Sequence, residues 1–197
     1  MFNPLDLDNL GESIARAMGE SNPTPLAALP KFEGAGVYAI YYTGSHPAYE
    51  TLVAANAALA EPHPIYVGKA TPKGGRKGLV SPQSSKALRS RLSQHAKSIE
   101  DSTNLELADF QARWLVLDHV WVNLGESVLI RRHSPVWNAI VDGFGNHAPG
   151  SGRAAGKRPR WDILHEGRSW AAGLQESPET PDQVLQEIRQ YFAARLS

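Results

Sequence analysis

"GVYAIYY" at residues 36–42 and "PIYVGKA" at residues 64–70 are two short runs built alike. Each sets a tyrosine beside valine and close to glycine: Gly36-Val37-Tyr38 in the first, Tyr66-Val67-Gly68 in the second. β-Branched and aromatic residues favour extended backbone, so both runs read as strands. Between them "HPAYETLVAANAALAEPHP", residues 46–64, is alanine-rich and closed by prolines, which predicts an inserted helix. Two strand tyrosines can simply fill a core, or they can bring two phenols to one active site. The surrounding sequence discriminates between these readings.

Working outward, Leu7, Leu10, Ile14 and Met18 fall on one stripe of a helix over residues 6–19. A proline-broken connector follows and should run extended. Downstream of the second strand, "TPKGGRKGLVSPQSS" (71–85) is a long basic loop, a length that is usually functional or disordered. Residues 86–100 read as a helix, 110–118 as a third strand and 122–133 as a helix that must stop before Ser134-Pro135. Residues 136–160 are glycine-rich, basic and expected to be largely loop. In the last helix Thr180, Pro181 and Gln183 form a capping box with proline at the first helical position. The expected fold class is therefore α/β (α+β), a small three-stranded sheet flanked by helices. The expected organisation is an N-terminal helix and arm over 1–31, a central domain over 32–172 and a packed C-terminal helix over 173–197.

Composition narrows the function classes. The 197 residues are 42% apolar, enough for one sizeable core. No run approaches membrane-spanning length, and the acidic N-terminus lacks the pattern of a signal peptide, so a cytoplasmic protein is expected. With no cysteine, disulfides and thiolate metal sites are excluded, and any metal needs oxygen or imidazole ligands. The formal net charge is zero but unevenly spread. No acid lies between Glu61 and Glu100, or between Asp142 and Asp162, and both stretches are rich in lysine and arginine. Acids gather at the two ends. A basic middle suits a phosphate-bearing partner.

Candidate chemistry is scattered over several elements. Leu88, Leu92 and Ile99 define the buried stripe of the 86–100 helix, with His95 inside it and Arg91 on its rim, one turn apart. An isolated histidine of this kind is more often a satisfied core residue than a catalyst. Glu126 sits among Val128, Leu129 and Ile130 and wants a cation, either an arginine or a metal, unless it stays on the surface. Asn138 could simply close a turn.

The order of these signals is more telling than any one of them. A "GVY" strand, a "YVG" strand, a helix with arginine and histidine four apart, a helix with an inward glutamate and then an asparagine resembles the GIY-YIG nuclease superfamily. The inserted helix and the stretches "GAGVYAIYYTG", "WNAIVDGFGNHAPGSGR" and "WDILHEGRSWA" are similar to its branch of Type II restriction endonucleases that cut the palindrome CCGCGG. The likeness runs from residue 32 to about 172. It implies Glu126 as the single protein ligand of a Mg²⁺ ion (Mn²⁺ substituting), Arg91 as clamp of the scissile phosphate and Tyr38 as general base. Tyr66 would orient water or phosphate and Asn138 would fix a neighbour of the metal site; an ordinary phenol is a poor base near neutral pH, so Tyr38 needs help from the metal, Arg91 or Lys69, or passes its proton to His95.

The implied partner is double-stranded DNA, read by a homodimer matching the palindrome, with a host DNA methyltransferase for protection but not as a stable subunit. Guanines are best read by cationic forks, and the candidates are Lys73, Arg76, Lys77, His147, Arg153, Lys157, Arg158 and Arg160 in the basic loops, with Arg89 on the helix. Strand alternation puts Lys69 on the side of Val67, opposite Gly68, where phosphate contact is as open as a catalytic role. The alternatives are a catalytically silent DNA-binding module, a repair or homing nuclease, and an HNH-type site using "GNH" at 145–147 with His165.

Overall fold

A computed structural model describes residues 7–72, 84–146 and 156–196, with side chains from residue 11 onward. Its centre is β2 (Gly36–Tyr42), a strand buried at every position because both faces are covered. β3 (Tyr66–Ala70) and β4 (Phe110–Val116) pair with it antiparallel on either side. A two-residue strand, β1 (Thr24–Pro25), adds to the far edge of β4 and gives the order β1-β4-β2-β3. The three expected strands thus form the sheet. The fourth comes from the connector after the first helix, where proline allows extended edge pairing but no longer strand.

Alternation along β2 divides the core in two. Tyr38, Ile40 and Tyr42 face α3 (Ala87–Glu100), whose Leu88, Leu92, His95 and Ile99 are all buried. Val37, Ala39 and Tyr41 face α1 (Leu7–Glu20) and α4 (His119–His133), packing with Ile14, Met18, Val122 and Leu129. The C-terminal helix α8 (Pro181–Arg195) carries the expected capping box and buries Val184, Ile188 and Phe192. Among the described residues no helix is long and apolar enough to cross a membrane.

Three segments differ from the sequence expectations. The inserted helix α2 spans only Glu50–Ala57, not 46–64, because the Asn56 side chain pairs with both the N–H and the carbonyl of His63 and turns the chain back. The fourth helix starts three residues earlier than expected, where Asp118 caps it through the Val120 N–H. It ends at Ser134, in a left-handed conformation before Pro135. The segment read as loop holds a short helix, α5 (Val136–Ala139), while α6 (Arg160–Leu164) and α7 (Ser169–Ala172) follow.

The end of α4 sets a pH dependence. His133 has its side chain 8% exposed, and burial pushes its pKa down to about 4. The unfolded chain therefore takes up this proton first, near pH 6.5, and folded stability falls as pH drops from there toward 4. The expected loss is about 3 kcal/mol over that window. Denaturation at pH 7.5 and 4.5 should show it, with a flatter profile in His133→Gln.

Candidate active site

The two glycines of the opening motifs explain how the site forms. Tyr38 lies opposite Gly68 across the β2–β3 pair. A side chain at 68 would run into the Tyr38 phenol, so glycine lets that ring lie across β3. Gly36 faces the Leu115 carbonyl, where a Cβ would collide with backbone. The recurring pattern is thus partly a packing rule that places one tyrosine over the edge strand.

On the α3 face four of the expected residues meet. Tyr38 Oη lies 2.6 Å from His95 Nε2, both side chains buried. The Tyr66 ring is tilted against Tyr38, with centroids 6.2 Å apart, and set edge-on to His95 at 5.2 Å. Arg91, half-buried, donates from Nη2 to the Gly145 carbonyl at 2.7 Å. A Cβ at Gly145 would stand 2.7 Å from Tyr66 Oη and 3.2 Å from Arg91 Nη2, so this backbone closes over both groups. Burial raises the Tyr38 pKa far above the phenol range; Tyr66 raises it further and Arg91 opposes the shift. Tyr66 is also raised by burial, with Arg91 lowering it and Glu126 raising it. Tyr38 is therefore a neutral phenol at ordinary pH, and His95 Nε2 is within hydrogen-bond reach of it.

Glu126 approaches from the other face. It lies on α4, and its Oε2 is 2.7 Å from Lys69 Nζ, the carboxylate side chain 21% exposed. β3 is the edge strand, so the two faces meet at its rim, where Glu126 bears electrostatically on Tyr66. The carboxylate is partly exposed and supplies the oxygen donor that Mg²⁺ takes, a hard ion that keeps several waters and would compete with Lys69 for it. No group of three His, Cys, Asp or Glu able to hold a metal exists among the described residues.

Asn138 acts on the backbone of β3. Its side chain accepts from the Val67 N–H and donates to the Val67 carbonyl, each at 2.8 Å, and so caps the open edge of β3. The adjacent Trp137 N–H donates to the Ile65 carbonyl. Asn138 therefore positions the strand carrying Tyr66 and Lys69. Asn138→Ala should cost about 1–3 kcal/mol in a denaturation experiment, by orphaning two edge groups.

The basic candidates scatter. Lys73, Arg76, Lys77, His147 and Arg153 lie outside the described residues. Lys157 is exposed on a bridge to Gln175, and Arg158 lies 3.5 Å from Glu166. Arg89 donates to the Pro30 carbonyl from the outer side of α3. Arg160 is turned to structure: Glu179, Glu187 and the Ile140 carbonyl surround its guanidinium. His165, needed by an HNH-type site, is fully buried, with Nε2 at Tyr49 Oη and Nδ1 at Asn104 Oδ1. Both ring nitrogens are thus engaged within the fold.

Sequence reading missed the support beneath the site. Phe144 stacks on His95 at 4.4 Å and meets Tyr66 edge-on at 5.0 Å. Arg168, paired with Asp162, donates to the carbonyls of Gly143, Phe144 and Asn146 and so fixes the turn that holds Arg91. The one local signal concerns Asp162, set between Trp161 and Ile163-Leu164, where a buried carboxylate must find a cation that the sequence alone does not name.

A search among curated proteins found no match. Against known families, residues 30–192 match the Eco29kI GIY-YIG domain. That span contains both tyrosine strands, α3, α4 and the supporting turn, so the chain belongs to the Eco29kI family of GIY-YIG nuclease domains.

Proposed function

We propose that this protein is a Type II restriction endonuclease that cuts double-stranded DNA at CCGCGG, with Mg²⁺ held by Glu126 and two copies meeting on the palindrome. The observation that carries the reading is the buried Tyr38–His95 contact, with Tyr66 and Arg91 at its mouth, inside a domain of a restriction-nuclease family. Mg²⁺ supplies charge neutralisation on the phosphoryl oxygens and a more acidic water. Arg91, held by Gly145, clamps the scissile phosphate and stabilises charge developing on it. Tyr66 orients the attacking water. Tyr38 accepts its proton while passing its own to His95 Nε2, so the phenol never has to ionise in a buried setting. The C·G-rich site fits cationic readers in the basic segments. The enzyme works in the cell interior, where a separate methyltransferase protects the host sequence.

His95→Ala should therefore lower the cleavage rate by about 10²–10⁴-fold, the usual worth of general acid–base help. A melting curve of the variant separates this from loss of packing on Phe144. The deciding experiment is a digest of two plasmids, one with a single CCGCGG and one without, in Mg²⁺ and in EDTA. Cutting of the first alone, and only with metal, is expected. Cutting of both removes the sequence assignment, and cutting in EDTA removes the metal. No cutting beside tight binding favours the silent DNA-binding module.

A further inference from the structure

The outer face of α3 borders a cleft of about 910 Å³ that plays no part in the chemistry above. Lys31, Lys86, Arg89 and Lys97 line it, with Glu33 the one acid among its lining residues. Its serines, Ser90 and Ser93, add small hydroxyls along the same helix face. These positions lie opposite the buried stripe of Leu88, Leu92, His95 and Ile99. Phe32, on the facing wall, is stacked on Trp114 with ring centroids 4.3 Å apart, and the Arg89 Nε–H bond to Pro30 ties that wall to α3.

We propose that this cleft is a second DNA contact, which grips phosphates of the strand flanking the scissile position without reading bases. The inference rests on the nuclease reading and extends its footprint. Continuity with the site supports it. Gln94 lines the cleft and accepts from Arg91 Nη1 at 3.4 Å, so the cleft borders the scissile-phosphate clamp through a neutral amide. Lys86 and Lys97 stand about 7–9 Å from Arg91 along the helix axis, on opposite sides of it. Arg89, the one guanidinium fork of the lining, is tied by its Nε to the Pro30 carbonyl, and the other cations are lysines, point charges suited to backbone phosphates. Lys97 is paired with Asp101 at 2.6 Å, but the lysine is exposed, and such surface pairs exchange at little cost for phosphate.

The test uses the full chain bearing Glu126→Gln, so that DNA is bound and not consumed. Lys31→Gln, Lys86→Gln and Lys97→Gln are combined, Arg89 being left to hold its wall. Binding to a CCGCGG duplex and to a scrambled one is measured across salt concentrations. The slope of log affinity against log salt should become shallower by about 2–3, equally for both sequences. A control with Arg16→Gln, Arg131→Gln and Arg189→Gln removes the same charge elsewhere and should leave the slope near the parent's. An unchanged slope in the lysine triple, or an equal change in the control, overturns the second contact while leaving the nuclease reading intact. A parent that binds no DNA overturns both.

Discussion

Glu126→Gln is expected to lower DNA cleavage by about 10²–10³-fold or more while leaving DNA binding nearly unchanged. The substitution keeps the shape of the side chain and removes the one charged oxygen donor that the rim of β3 offers a metal. Binding should survive, because the cationic surface is untouched and Lys69, no longer neutralised at 2.7 Å, gains influence on nearby phosphates. The same ion pair makes a sharper version possible. Lys69 and a divalent cation compete for one carboxylate, so Lys69→Met should bind Mn²⁺ more tightly than the parent, and Glu126→Gln more weakly. Direct Mn²⁺ titration reads both without any turnover. Efficient cutting by Glu126→Gln would remove the metal assignment, and unchanged Mn²⁺ affinity in both variants would remove the competition.

The sequence was most legible where one physical demand dominated. β2 appears over the residues that its β-branched and aromatic run specifies, and the capping box of α8 is present as read. The stripe of α3 put His95 inside and Arg91 on the rim, and the structure brings them to Tyr38 and Tyr66 as that wheel requires. Elements governed by side-chain-to-backbone bonds were less legible. Nothing local announces that Asn56 will fold α2 back on His63, or that Asn138 will seal the edge of β3, because each bond needs a partner set by tertiary structure. Strand alternation alone placed Lys69 away from Gly68, yet it could not say that Glu126 waits there. Arg168 was invisible for a related reason: an arginine reads as surface until the aromatic residues around it are known to be buried.

Arg168→Met should destabilise the protein by about 3–5 kcal/mol. Both side chains of the Arg168–Asp162 pair are 2% exposed, and the guanidinium also lies over the rings of Trp161 at 4.5 Å and Trp170 at 4.6 Å. Methionine fills similar volume but leaves Asp162 as a buried carboxyl whose pKa burial already pushes up, and it abandons the carbonyls of Gly143, Phe144 and Asn146. In a chain of this size the loss corresponds to a drop of roughly 10 °C in melting temperature. Adding Asp162→Leu should recover much of it, because the cost comes from an uncompensated charge more than from the lost attraction. Arg168→Lys separates stability from function. It keeps a cation for Asp162 but lacks the planar fork that spans three carbonyls. The turn that carries Phe144 and Gly145 would then loosen beneath His95 and Arg91, so cleavage should fall further than the melting temperature predicts. A variant that melts low but cuts at the parent's rate at a permissive temperature would show that Arg168 holds the fold and not the site.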